Sequence, residues 1–290
     1  MAWSDHVLRV GGRRVEYRLS GADTRPALLY CHGSPSARTE VGDYEPGLLE
    51  ELGICAVSAD RPGYGGTDPL DGSDLLGRTS DAVAVAGHLG LTRFAVQGSS
   101  GGGPYALACA VLMPDRVQSV ILTSAGGDIG AEGGLDGLPE IFAAGWRRTW
   151  RDADANLARL EAAAAGLRAD PLASLRAMTS TFPADEREWV EQNGSALAQD
   201  MVEAMRQGAV GWWSDGRSFG QPWPFDVAEI RAPVHVFHGD CDSLAPLPAL
   251  RRSLAPAVRV TEERIYPGGN HFAPWATRER QAAMLALIPG

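Results

Sequence analysis

Hydrophobic and polar positions in this chain first alternate and then bunch. From His6 to Val10, and again from Arg14 to Leu19, apolar and polar residues alternate on either side of Gly11-Gly12. That pattern predicts an opening β-hairpin of half-exposed strands. Short unbroken apolar runs then follow at Ala27–Tyr30, Ile54–Ser58, Phe94–Gln97, Val120–Thr123 and Val234–His238, and Val258–Tyr266 reads as the last strand. Runs this short and this apolar fit strands covered on both faces of a parallel sheet. Helical stretches lie between them, notably Asp74–Leu89 and Pro104–Met113, the second stopped by Pro114, which has no backbone N–H to continue the ladder. Strands alternating with helices of this length predict an α/β fold, a mostly parallel, doubly wound sheet flanked by helices.

The alternation breaks between about Gly126 and Gln221. This stretch is rich in alanine, arginine and tryptophan, with helical periodicity and no strand pattern. Trp146, Trp150, Trp189, Trp212 and Trp213 fall inside it and Trp223 at its exit. It predicts a helical insertion over the sheet, with residues 1–126 and 222–290 forming the core, residues 127–221 forming a helical subdomain, and Pro222-Trp223-Pro224 returning the chain.

Composition narrows the chemistry. A chain of 290 residues, 44% apolar and 21% charged, is ample for one such domain with its own core. A net charge of −10 without a basic stripe argues against nucleic-acid binding. All 26 basic side chains other than histidine are arginine. Without lysine, Schiff-base catalysis, pyridoxal-phosphate anchoring, Ser-Lys dyads and Walker-type phosphate binding are excluded. Cys31, Cys55, Cys109 and Cys241 form no CxxC pair, the Met1–Val10 segment lacks the apolar run of a signal peptide, and no apolar stretch is long enough to span a membrane. The expectation is a reduced, soluble, cytoplasmic protein with free buried thiols, Cys241 included. No residue set has metal-ligand spacing, and no G-x-G-x-x-G follows a strand in the manner of dinucleotide binding. Neither a metal nor a cofactor is expected; the expected partner is a small-molecule substrate. The Asp60-Arg61-Pro62 segment and the glycines after it read as a rigid turn bordering the site.

Four loops carry candidate chemistry. Gly98-Ser99-Ser100-Gly101-Gly102 follows the strand Phe94–Gln97 and opens a helix, the context that a G-x-S-x-G nucleophile turn requires. Small residues flank Ser100 because the chain turns too tightly there for side chains, and the helix N-terminus beneath it favours developing negative charge. The alternative is a glycine-rich turn with incidental serines. Cys31-His32-Gly33-Ser34-Pro35 follows Ala27–Tyr30. The backbone N–H of Ser34, with that of Gly101, could form an oxyanion hole, and His32 reads as a residue pinning the loop rather than as a base. In Gly239-Asp240-Cys241-Asp242 either aspartate could orient a histidine ring, although Asp240 also fits a turn-capping role. Gly268-Gly269-Asn270-His271-Phe272 places His271 on a glycine-rich loop after the last strand, whereas His88, His235 and His238 sit in or at the ends of regular elements and read as structural.

With these residues in hand, the sequence resembles the α/β-hydrolase superfamily over nearly its whole length. The resemblance lies in His32-Gly33-Ser34-Pro35, Asp60-Arg61-Pro62-Gly63-Tyr64-Gly65, Gly98 to Gly102, Gly239 to Pro246, and Gly268 to His271. It is closest to the capped, serine-nucleophile branch of esterases, lipases and aminopeptidases. The resemblance implies the order Ser100, Asp242, His271 for the catalytic residues, chooses Asp242 over Asp240, and makes the helical insertion a cap that shapes the substrate pocket. It implies a serine hydrolase cleaving a small apolar ester, lactone or amide. The alternatives are a specialised member acting as C–C hydrolase, cofactor-free peroxidase, lyase or cyclase, or a non-catalytic ligand-binding member. Two positions depart from the pattern: Ser99 stands where many members have histidine, and Gly101 where many have methionine or glutamine. The missing side chain at Gly101 is expected to leave room for a branched or ring-shaped acyl group.

Overall fold

A computed structural model of the protein describes residues 3–20, 27–44, 46–256 and 260–289. Strands β1 (Trp3–Val10) and β2 (Arg13–Ser20) pair antiparallel from Trp3 opposite Ser20 to Val10 opposite Arg13. Gly11 and Gly12 turn between them at φ 58° and 87°, the left-handed region that suits glycine. Strands β3 (Ala27–Cys31), β4 (Cys55–Ala59), β5 (Phe94–Ser99), β6 (Val117–Thr123), β7 (Val234–Gly239) and β8 (Val260–Tyr266) complete one sheet in the order β1-β2-β4-β3-β5-β6-β7-β8. From β4 to β8 every neighbouring pair is parallel, while β2 meets β4 antiparallel. Every residue of β3, β4, β5 and β7 is buried, which is why these strands read as unbroken apolar runs. Strand β6 starts at Val117, ahead of the predicted Val120, because Gln118 and Ser119 conceal its first turns in sequence. Val258 and Arg259 lie outside the described residues.

Helices α1 (Leu48–Glu51), α2 (Leu75–His88) and α3 (Gly103–Leu112) connect the first strands. Asp74 caps α2 by accepting from the Gly77 N–H at 2.8 Å. Between β6 and β7 run five helices, α4 (Glu140–Arg151), α5 (Ala153–Ala169), α6 (Pro171–Met178), α7 (Ala184–Ala204) and α8 (Val210–Phe219), with no strand among the described residues. Side-chain caps at Asp152, accepting from Ala155 N at 3.0 Å, and Asp170, accepting from Ala173 N at 3.1 Å, divide the first three of these helices. Helices α9 (Leu247–Leu254) and α10 (Arg278–Leu285) flank β8. No described helix is long and apolar enough to cross a membrane.

Alternate side chains of each strand enter opposite cores. Leu29, Val57, Val96, Leu122 and Val236 pack with α3 on one face, and Leu28, Ala56, Ala95, Ile121 and Phe237 pack with α10 on the other. Leu160, Leu167, Leu175, Val190 and Met201 form a third core within the helical segment, and the core-domain residue Tyr64 inserts into it. Cys31, Cys55 and Cys109 are buried free thiols, as expected, but Cys241 is exposed. It occupies the turn after β7, where its neighbours Gly239 and Asp242 face inward and its own side chain faces out.

Candidate active site

At the carboxyl end of the central strand β5, Ser100 takes φ +49°, a left-handed conformation costly for a residue with a Cβ. The packing leaves the chain no other route. A Cβ at Gly98 would stand 2.5 Å from Gly102 O, and one at Gly102 would overlap the carbonyl oxygen of Cys31 and lie 2.6 Å from that of His32. The turn therefore needs glycine at both positions, and it lifts Ser100 over the start of α3. Gly101 was expected to leave open room. Instead a Cβ there would meet Ser34 Cβ at 2.8 Å, Ser34 N at 3.3 Å and the Phe219 ring at 3.4 Å. The space is filled by the β3 loop and the end of α8, so that expectation is corrected.

His271 and Asp242 meet: His271 Nδ1 lies 2.8 Å from Asp242 Oδ2. Asp242 Oδ1 accepts from the N–H groups of Leu244 at 2.9 Å and Ala245 at 2.8 Å. His238 Nε2 approaches the same Asp242 Oδ2 at 3.1 Å and the Ala245 carbonyl at 2.7 Å. Both partners are acceptors, so this nitrogen carries the proton and donates. Burial pushes the Asp242 carboxyl up, but the His271 charge and the hydrogen bonds from His238 and His271 outweigh it and hold the carboxylate ionised, well below its ordinary range. Burial likewise pushes His271 down, and the charge and hydrogen bond of Asp242, with the charge of Glu186, reverse this and raise it above 6.5. Asp240 takes the turn-capping role: its Oδ1 accepts from Gly268 N at 2.7 Å. Sequence reasoning placed His238 among structural histidines and did not foresee its contact with Asp242.

The loop carrying Ser34 is braced from two sides. His32 Nδ1 donates to Gly33 O at 2.9 Å, and its Nε2 accepts from Arg61 N at 3.2 Å, so the ring is neutral and pins the loop, as read from sequence. Burial, with the Arg61 charge, keeps it well below an ordinary histidine. Arg61 Nη2 donates to Gly33 O at 2.7 Å and to Asp215 Oδ2 at 2.6 Å. Tyr64 OH bridges Asp215 Oδ2, at 2.9 Å, and Ser34 Oγ, at 3.0 Å. Arg78 at 2.9 Å and Tyr105 OH at 2.7 Å complete the shell of Asp215, which is fully buried. A carboxylate on α8 thus holds the loop after β3 through an arginine and a tyrosine. Nothing in the sequence around Asp215 signals this.

The histidine loop is held similarly. Ser124, at φ +47° just after β6, donates its hydroxyl to His271 O at 2.6 Å, and Gly126 N donates to Ser100 O at 3.1 Å. One corner of the chain therefore ties both the serine turn and the histidine loop. From α7, Asp185 Oδ2 accepts from Asn270 Nδ2 at 2.9 Å. Glu186, fully buried, accepts from Ser243 Oγ at 3.1 Å and from the His271 backbone N–H, and burial raises its carboxyl above the ordinary value.

Ser100, Ser34, Gly101 and His271 all line one cavity of about 1260 Å³ between the sheet edge and the helical segment. Trp146, Phe142, Phe182, Trp189, Trp212 and Phe219 give much of its wall an apolar, aromatic character. Away from it, Glu16, Asp60 and Glu203 bring carboxylate oxygens within 4.8 Å of one another, a geometry that could ligate a metal. Their common partner is Arg38, whose Nη1 lies 2.8 Å from Asp60, 2.6 Å from Glu203 and 3.4 Å from Glu16. A guanidinium occupies the place of a cation there.

A family model described as "Alpha/beta hydrolase family" matches residues 28–285. The chain is 24% identical to a bifunctional esterase/perhydrolase of Acinetobacter calcoaceticus, covering 94% of this chain and 95% of that protein. It is also 24% identical to a 2-hydroxy-6-oxononadienedioate/2-hydroxy-6-oxononatrienedioate hydrolase of Klebsiella pneumoniae, covering 91% and 88%. Among solved structures, epoxide hydrolase A from Mycobacterium thermoresistibile superposes with a TM-score of 0.75 at 19% identity, covering 99% of each chain.

Proposed function

Because the chain belongs to the alpha/beta hydrolase family, we propose that it is a serine hydrolase that cleaves a small, largely apolar ester, lactone or amide through an acyl-enzyme on Ser100. The observation that carries this reading is the 2.8 Å contact of His271 Nδ1 with Asp242 Oδ2 beside a cavity that Ser100 also lines. With its Nδ1 proton given to a carboxylate held ionised, the imidazole keeps Nε2 as its basic nitrogen.

In the first half-reaction His271 Nε2 takes the Ser100 hydroxyl proton while Oγ attacks the substrate carbonyl carbon. The carbonyl π electrons move to oxygen, and the backbone N–H groups of Ser34 and Gly101 receive that oxyanion. As the tetrahedral intermediate collapses, the leaving alcohol or amine departs with the proton from His271. In the second, water gives a proton to His271 and its oxygen attacks the acyl carbon; the acid leaves and Ser100 recovers its proton. The Acinetobacter relative, by its name an esterase, supports this reading.

The Klebsiella relative supports a second one, in which the carbonyl attacked belongs to an oxo-dienedioate of the kind in that protein's name. Incubation with a fluorophosphonate and with a short p-nitrophenyl ester separates the possibilities. Labelling at Ser100 with ester turnover, both lost in Ser100→Ala, is the expected result. Labelling without ester turnover favours the second reading, and no labelling refutes both and leaves a ligand-binding protein.

A further inference from the structure

Many arginines of this acidic protein pair with a carboxylate, whereas two that line the cavity, Arg148 and Arg159, do not. Arg147, next to Arg148 on α4, pairs with Glu140 at 2.5 Å. Arg148 and Arg159, on α4 and α5, line the cavity, and among the described residues neither has a carboxylate within the 4.0 Å of an ion pair. Arg159 Nη2 instead donates to Oδ1 of buried Asn156 at 2.6 Å, which directs the guanidinium along the wall. Partial burial, and after it the like charge of Arg148, lower the Arg159 pKa. Glu40 alone among the lining residues carries a carboxylate, and one of its oxygens accepts from Gly33 N at 2.6 Å, on the side of the cavity nearest the Ser100 turn.

Arg148 and Arg159 are both exposed, so solvent screens their repulsion; what they offer an incoming anion is two guanidiniums on one cavity wall that no carboxylate already occupies. The planar fork of arginine matches a carboxylate through paired N–H donors. Asn156 and Thr149, lining the same wall, add polar groups. The cavity, at about 1260 Å³, has room for more than a short acyl chain, since pockets for small ligands are commonly about 300–1,000 Å³. We propose that the cavity of this protein takes a substrate bearing a carboxylate at the end remote from the scissile carbonyl, and that Arg148 and Arg159 bind that carboxylate. The inference rests on the Ser100 reading for the position of the scissile bond, but the binding claim is independent of turnover.

Calorimetric titration of the full-length Ser100→Ala protein with monomethyl octanedioate, an anion, and dimethyl octanedioate, its neutral analogue, tests the binding claim directly. The anion is expected to bind about 10-fold or more tighter, with the preference shrinking as salt is raised. In Ser100→Ala combined with Arg148→Gln and Arg159→Gln, the ratio of the two affinities should fall to about twofold or less. Arg159→Glu, which keeps a charged side chain of similar polarity on α5, should invert it in favour of the neutral ester. Equal affinities in the Ser100→Ala protein, failure of both ligands to bind, or a preference that survives the double substitution overturns the proposal. Loss of fluorophosphonate labelling in the unsubstituted protein would instead refute the Ser100 reading, and the affinity ratio would still decide the anion site.

Discussion

The indole of Trp189 on α7 lies flat against the ring of Phe272, with centroids 3.8 Å apart and planes 2° from parallel. Phe272 follows His271 directly, so the helical segment grips the histidine loop through an aromatic pair as well as through Asp185 and Glu186. An aromatic pair contributes about 0.5–1.5 kcal/mol beyond its area burial. Trp189→Ala should therefore lower stability by about 2–4 kcal/mol in denaturant unfolding and reduce kcat more than it raises KM, because His271, the proposed base, is less well held. A KM effect alone, with kcat unchanged, would assign Trp189 to the cavity wall only.

Glu186 makes a distinct, electrostatic prediction. In the proposed mechanism His271 must be neutral to take the Ser100 proton, so kcat/KM should fall as pH drops through its pKa. Burial lowers that pKa, but Asp242 and Glu186 together raise it above the ordinary 6.5, so the acid limb should lie above pH 6.5. Glu186→Gln removes one of the two negative charges, and the limb should move toward lower pH while activity at alkaline pH changes less. A merely structural Glu186 would lower activity at every pH and leave the limb where it was.

Asp215 is expected to matter for stability and for the position of the loop that carries Ser34 at once. Asp215→Asn leaves Arg61 and Arg78 buried beside a neutral partner, and breaking such a buried pair costs about 3–5 kcal/mol. Burial pushes Asp215 up, but the two arginines overcome it and depress its folded pKa below the ordinary 3.8. For a depressed carboxyl, the stabilisation is full above the unfolded-state value and is lost as pH falls through the folded one. The gap in unfolding free energy between the native protein and the variant should accordingly be constant near neutrality and narrow only below pH 3.8. A gap already closing between neutrality and pH 5 would contradict the pairing.

Much of the sheet, and the turns at its carboxyl edge, could be read from the chain because their signals are local. The buried strands β3, β4, β5 and β7 are unbroken apolar runs, and the serine turn announces itself by glycines whose missing Cβ atoms the packing demands. What could not be read is long-range. Asp215 lies 154 positions from Arg61, and Ser124 lies 147 positions from the His271 carbonyl it holds. Glu186 begins a helix whose periodicity says nothing of the loop it will touch. The contact of His238 with Asp242 was concealed differently: the spacing was visible, but a histidine at a strand end has many structural uses. Cys241 was misread because the turn after β7 reverses the side-chain alternation at that residue.

At Gly101 the local pattern suggests open space, and the packing around it is closed. Its neighbours Ser34 and Phe219 fill the volume that a side chain would need, with Ser34 Cβ only 2.8 Å from an added Cβ. Ser34 is one of the two proposed oxyanion donors, so pushing it away should act on the transition state rather than on substrate binding. Loss of one such donor costs about 100- to 1,000-fold in kcat. Gly101→Ala should thus lower kcat by up to that factor for small and bulky esters alike, with KM nearly unchanged. Phe219→Ala in the same protein relieves only the 3.4 Å contact and should not rescue it, because the Ser34 clash remains. Were Gly101 instead a space reserved for a bulky acyl group, Gly101→Ala would hydrolyse short esters at the native rate and fail selectively on branched ones.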